Sequence, residues 1–164
     1  MCLITDVDHN KAVSRRWIEA YNAPDDAAQA DVLGPGYVGH APASLEPSPM
    51  DTAAWTTFLA GFTEGFPDLR LTIEDTVAEG DLVAQRITFN GTHTGVFQGL
   101  PPTNRRVTFS GLELNRFEDG RVAEHWFQLD ALGLLQQLGL AVVPGPRLVP
   151  RLLGHQLKKL RRKR

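Results

Sequence analysis

Apolar positions near the start of the chain recur with helical spacing. Ala12, Val13, Trp17, Ala20 and Tyr21 fall toward one face, and Lys11, Arg15, Arg16 and Glu19 take the other. This predicts a helix from about residue 8 to residue 22, with Asp8 or Asn10 as its N-cap and Pro24 as its stop. A short second helix follows over residues 25–33, with acids in its first turn where the helix dipole favours them, and Gly34-Pro35-Gly36 ends it. Residues 37–50 hold Pro42, Pro47 and Pro49 and read as loop. A third helix starts at the N-cap Asp51. Its Trp55, Phe58, Leu59 and Phe62 make an aromatic and apolar stripe that Gly65 and Pro67 close off.

The period then changes to two. Strands are predicted over residues 69–79, 82–92, 105–117 and 121–130, with turns at Gly80-Asp81 and Glu118-Asp119-Gly120 and a Gly/Pro-rich loop near 95–104. Residues 131–138 predict a last short helix, with Gly139 in the C-cap position. Helices followed by a meander of long strands give an α+β class: a curved antiparallel sheet, closed on one side by three N-terminal helices into a cone with a pocket.

Charge divides the chain unevenly. Of 17 Lys/Arg and 19 Asp/Glu, eight bases and no acid lie in residues 147–164, so a body near −10 precedes a tail near +8. The expected organisation is a domain over residues 1–139, then a Pro-containing linker and basic tail over 140–164. Leu152, Leu153, Leu157 and Leu160 give the tail a weak helical pattern. It is read first as an extension packing on the body or on a dimer mate, and second as a contact for an anionic membrane surface. A nucleic-acid partner is not expected. The single cysteine, Cys2, excludes a disulfide framework and a Cys-rich metal site. No apolar run reaches the roughly 18 residues of a membrane span, and the first ten residues carry acids instead of a basic signal region, so a cytoplasmic protein is expected.

Seven short motifs occur in order. Phe66-Pro67-Asp68-Leu69 leads to Glu79-Gly80-Asp81-Leu82-Val83-Ala84, then Gly91-Thr92-His93-Thr94-Gly95 and Pro101-Pro102-Thr103. Arg116-Phe117-Glu118-Asp119-Gly120 and Glu124-His125-Trp126 follow, and the run ends in Leu134-Leu135-Gln136-Gln137-Leu138-Gly139. Over about residues 11–139 the chain resembles the SnoaL-like polyketide cyclase (ester cyclase) family of the nuclear transport factor 2-like superfamily. The resemblance implies the cone-shaped α+β fold and a homodimer. It also implies ring closure of an aromatic polyketide ester by intramolecular aldol condensation, with no metal or organic cofactor. In that family an acid/base aspartate lies two residues after the motif histidine, where this chain has Phe127, and a helper histidine lies where it has Glu113.

The candidate catalytic groups are therefore Glu113 and His125. Glu113 stands in the otherwise apolar strand Phe109–Phe117, and an apolar setting would make its carboxyl a usable acid or base. Alternation alone leaves open whether the Val107/Phe109/Glu113 face or the Leu112/Leu114 face is inside. His125 shares a phase with Phe127. Tyr37, His40, Trp55, Phe58, Phe62, His93, Phe109 and Phe127 are the candidate substrate-binding residues of a hydrophobic, ring-sized pocket. His40, His93 and His125 are dispersed and lack the paired spacing of a metal site, so no metal is expected. Gly34-Pro35-Gly36-Tyr37-Val38-Gly39 matches a dinucleotide fingerprint in letters, but it follows a helix and contains proline, which that site cannot use. Two functions remain: a cofactor-independent cyclase or isomerase acting on a hydrophobic biosynthetic intermediate, and a non-catalytic binder of such a molecule.

Overall fold

Every helix among the described residues begins on an aspartate whose carboxylate takes a free backbone N–H of the first turn. The computed structural model describes residues 6–23, 25–42, 45 and 48–140. In it α1 spans Val7–Asn22, α2 Asp26–Val32, α3 Thr52–Gly65 and α4 Ala131–Gln137. Asp6, Asp25, Asp51 and Asp130 accept from the amides of His9, Ala28, Ala54 and Gly133 at 2.8–3.0 Å. Such caps contribute about 1 kcal/mol each. The cap of α1 is Asp6 and not Asp8 or Asn10, and Asn10 is a buried side chain of the helix interior.

The sheet has five strands: β1 (Leu33–His40), β2 (Arg70–Glu79), β3 (Leu82–Thr92), β4 (Arg106–Glu118) and β5 (Arg121–Leu129). Their spatial order is β1-β5-β4-β3-β2. Neighbours pair antiparallel except β1, which runs parallel to β5. The four expected strands are present with boundaries shifted by a residue or so, and β1 is the one that the loop expectation for residues 37–50 missed. Gly34, Pro35 and Gly36 disguise it, and they mark a break in its register between Leu33 and Val38. Beyond that break Val38, Gly39 and His40 face Glu124, His125 and Trp126 of β5.

Side-chain phase on β4 is unambiguous. Val107, Phe109, Gly111, Glu113, Asn115 and Phe117 are buried, and Thr108, Ser110 and Leu112 are exposed. The Glu113 face is thus the inner one. It closes on α1 and α3, whose Val13, Trp17, Trp55, Phe58 and Phe62 join one continuous core with Ile87, Phe89, Phe109, Val122 and Phe127 of the sheet. Burial of such aromatic and branched side chains is the main favourable term in folding.

Two side-chain amides finish the strand edges, where unpaired backbone would otherwise face solvent. Asn22, at the end of α1, donates to the Leu71 carbonyl at 2.8 Å and accepts the Leu71 amide at 2.9 Å. Gln137, at the end of α4, does the same to Thr108, beyond the point where β5 stops pairing with β4. A third tie joins two of the sequence motifs. The Asp68 carboxylate takes the Thr92 amide at 2.6 Å and the Thr92 hydroxyl at 2.8 Å, and these bonds hold its pKa below the usual range.

The outer face of the sheet carries an unusual row. Register aligns Val77, Ala84, Leu114, Trp126 and His40 across all five strands, with Leu112 beside them. Val77 is 65% and Leu112 59% exposed. No described helix is long and apolar enough to cross a membrane. Cys2 and the segment from residue 141 onward, including the basic tail, lie outside the described residues.

Candidate active site

Inner-face positions of a two-layer fold are normally apolar, yet four here are not. Gln85 on β3, Glu113 and Asn115 on β4 and His125 on β5 are all buried. Register groups them. Gln85 and Phe127 flank Glu113 directly, and Asn115 lies directly opposite His125. Glu113 and His125 are therefore diagonal neighbours, within reach of long side chains. Their closest atoms, Glu113 Oε2 and His125 Nε2, are 3.6 Å apart, just beyond a hydrogen bond.

Each of the two is held from behind. Asn115 Nδ2 donates to Glu113 Oε1 at 3.1 Å and also reaches Ser14 Oγ on α1 at 3.3 Å. The Tyr37 hydroxyl meets His125 Nδ1 at 3.3 Å. Trp17 and Trp55 present their rings edge-on to the imidazole, with centroids at 4.8 and 4.6 Å. Gly39, paired with His125, leaves the room this needs: a Cβ there would lie 2.7 Å from Tyr37 Oη and 2.8 Å from Trp55 Cε3. Burial, with a smaller contribution from the charge of Glu113, pushes the Tyr37 phenol far above its ordinary pKa of 10.0, so it stays an O–H donor.

The pair opens on a cavity of about 50 Å³. Its walls are Trp17, Ile18, Tyr21, Trp55, Leu59, Phe62, Leu69, Leu71, Phe89 and Phe127, with Glu113 and His125 the carboxylate and imidazole among them. Outside it, between α1, α2 and α3, runs a groove of about 340 Å³ lined by residues including Gln29, Thr52, Thr56 and Thr63. Trp17, Tyr21, Trp55 and Leu59 belong to both spaces and form the partition between them. Two buried nitrogens of cavity-lining residues, Trp55 Nε1 and His125 Nε2, have no hydrogen-bond partner among the described residues. Buried polar atoms without partners are costly, and a ligand oxygen would satisfy the Trp55 indole N–H.

The structure brings together Glu113, His125, Trp55, Phe62 and Phe127 of the residues singled out from sequence. The other five lie elsewhere. Tyr37 stands behind His125 and not on the cavity wall. Phe58 fills the core between Trp55 and Phe62, and Phe109 stacks on Phe89 with centroids 4.8 Å apart. His40 is on the outer face, because its phase on β1 is opposite to that of Tyr37 and Gly39. There it bonds Glu124 at 2.9 Å and stacks on Trp126. His93 is fully buried against Phe66 and accepts the Thr103 amide at Nδ1. Sequence reading did not assign the supporting polar residues Ser14, Gln85 and Asn115. The signal was available for two of them: Gln85 is in phase with apolar Val83 and Ile87, and Asn115 with Phe109 and Phe117. Among the described residues, no cluster of His, Cys, Asp and Glu could hold a metal ion.

Comparison with known proteins agrees with this geometry. Residues 11–138 match the sequence profile of the SnoaL-like polyketide cyclases. The chain is 32% identical over 130 residues to the aklanonic acid methyl ester cyclase DnrD of Streptomyces peucetius, covering 76% of this chain and 87% of the relative. It is 29% identical over 115 residues to the nogalonic acid methyl ester cyclase of Streptomyces nogalater, covering 70% and 82%. Among solved structures it is similar to AclR of Streptomyces galilaeus, a proposed hydroxylase, with 34% identity, a TM-score of 0.75 and coverage of 88% and 95%.

The environment of His93 makes a prediction about pH. Desolvation holds its pKa below the ordinary 6.5, so the folded state resists protonation more than the unfolded chain does. Its contribution to stability is intact above pH 6.5 and is lost as pH falls from there toward the folded-state pKa. Urea midpoints should therefore drop on acidification below 6.5. In His93→Gln that part of the slope should disappear; an unchanged slope in the variant would assign it to other groups.

Proposed function

The chain belongs to the SnoaL-like polyketide cyclase family, and from that membership we propose that it closes a ring in an aromatic polyketide ester by an intramolecular aldol reaction. The observation that carries this reading is the Glu113–His125 pair, two ionisable groups with facing free atoms in an otherwise apolar cavity. The chemistry needs one proton taken from the carbon next to the ester carbonyl. The resulting enolate carbon attacks a ketone of the same molecule, a C–C bond forms, and the new alkoxide takes a proton. Atoms and electrons balance with no other reagent, and the product has the mass of the substrate.

The relatives' named substrates, methyl esters of aklanonic and nogalonic acid, define the substrate class to try first. A ring system of that size does not fit in about 50 Å³. The aromatic body would occupy the groove between the helices, and its reacting edge would pass the partition of Trp17, Tyr21, Trp55 and Leu59 into the cavity. The position that carries an aspartate in the classical cyclases is Phe127 here, in contact range of Trp55 and Phe89. Proton transfer is accordingly assigned to Glu113 and His125, with Trp55, Phe62 and Phe127 as the apolar walls around the reacting edge.

The outer-face row from Val77 to His40 favours a homodimer built sheet against sheet. An apolar band across five strands is better covered than wet. A soluble, cytoplasmic setting suits such an enzyme.

Two outcomes test these proposals. Glu113→Gln keeps the shape of the side chain and its bond from Asn115 but removes the base. Cyclisation of an aromatic polyketide methyl ester, followed by chromatography at constant mass, should slow by about 10²–10⁴. Activity within a few-fold of wild type would remove Glu113 from the mechanism, and a product heavier by one oxygen would move the chain to the hydroxylase reading of AclR. Light scattering should give a dimer at micromolar concentration, and Leu112→Arg, exposed in the single chain, should give a folded monomer. A monomeric wild type would end the dimer proposal.

A further inference from the structure

Glu113 and His125 could share proton transfer in either direction, and the hydrogen bonds behind them decide which does what. The Tyr37 hydroxyl has His125 Nδ1 as its hydrogen-bond partner among the described residues, at 3.3 Å. Tyr37 is 2% exposed, so solvent offers its proton no alternative. If Tyr37 donates, Nδ1 is a lone pair and the proton of the neutral ring sits on Nε2. If Nδ1 carried the proton instead, two penalties would follow. The Tyr37 O–H would be buried without an acceptor, and the Nε2 lone pair would face the Glu113 carboxylate oxygen across 3.6 Å. Both ends of the ring therefore favour the same tautomer.

Glu113 is sorted in the same way. Asn115 Nδ2 occupies Oε1 at 3.1 Å, which leaves Oε2 as the free oxygen facing the cavity side of His125. Nε2–H and Oε2 are too far apart to satisfy each other fully, and both belong to residues on the cavity wall.

We propose that Tyr37 is a positioning residue that fixes the Nε2–H tautomer of His125, so that His125 donates a hydrogen bond to the substrate carbonyl and its enolate oxygen while Glu113 Oε2 is the base. This rests on the cyclase reading above and divides its labour. Tyr37 acts through His125 and does not touch substrate. The arrangement places a donor and a base about one atom's width apart, which is the spacing that enolisation needs: one group polarises the oxygen as the other removes the neighbouring proton. Asn115 plays the corresponding part for Glu113 by holding the oxygen that does not react.

The test is ¹⁵N NMR of the imidazole nitrogens of the full chain at neutral pH, with His125 assigned by the loss of its signals in His125→Gln. The expected wild-type pattern is a protonated, pyrrole-type Nε2 and an unprotonated, pyridine-type Nδ1. Tyr37→Phe keeps the ring that packs on Trp17 and Trp55 and removes the hydroxyl. In it the two nitrogens should move toward averaged shifts, and kcat should fall about ten- to hundredfold with KM little changed. A proton on Nδ1 in the wild type, or an imidazolium at neutral pH, would overturn the assignment without any variant. So would Tyr37→Phe with an unaltered tautomer. Full activity in Glu113→Gln would overturn the base assignment; failure of the cyclase reading looks different, because the wild type itself would not cyclise an aromatic polyketide methyl ester while the His125 tautomer stayed as described.

Discussion

Glu113 and His125 occupy inner-face positions where the sheet would otherwise bury two more apolar side chains, and their desolvation constrains what can surround them. A buried carboxylate or imidazole is tolerated only when its remaining hydrogen-bonding capacity is met. The surroundings supply this from three directions: Asn115 from the same strand, Ser14 from α1 through Asn115, and Tyr37 from β1. The parallel pairing of β1 with β5 brings Tyr37 behind His125, and the bare Gly39 beside it leaves space for the phenol and for Trp55. One atom on each group is left unmet, and both lie at the same cavity. Partly satisfied polar networks cost stability, and they persist at sites where a ligand completes them.

The rest of the fold serves to keep that site dry and fixed in shape. Four aspartate caps set the starts of the helices, Asn22 and Gln137 close the sheet edges, and Asp68 ties the segment entering β2 to the end of β3. The two tryptophans come from different helices and both pack edge-on against one imidazole, on adjacent sides of it. Movement of α1 relative to α3 would thus open the partition above the cavity and disturb His125 together.

Much of this was legible in the chain. Helical spacing located α1 and α3, first-turn acids and the Gly-Pro-Gly stop located α2, the change to period two located β2 to β5, and turn chemistry placed Asp119-Gly120. β1 was hidden because Gly34, Pro35 and Gly36 remove the usual strand signals, and its evidence is tertiary: it pairs with a strand some 90 residues away. That same omission sent His40 toward the pocket. Once residues 33–40 are a strand, alternation puts His40 opposite to Tyr37, on the outer face with Trp126. For β4, alternation showed two faces without saying which was inside. An inward Glu113 and Asn115 with outward Leu112 and Leu114 reverses the expected polarity, and only packing against the helices could resolve it. Glu113 and His125 were named from sequence, whereas their juxtaposition depends on strand register and could not be read from it.

The account stands on Glu113 removing a proton from carbon, a step that can be observed apart from ring closure. An aromatic β-keto ester lacking the ketone that would be attacked can be enolised but not cyclised. In D₂O, NMR should show exchange of its acidic C–H accelerated by the wild-type protein well above the buffer rate, and lost in Glu113→Gln. Cyclisation of a complete substrate without any enzyme-dependent exchange in such an analogue, or exchange undiminished in Glu113→Gln, would contradict it.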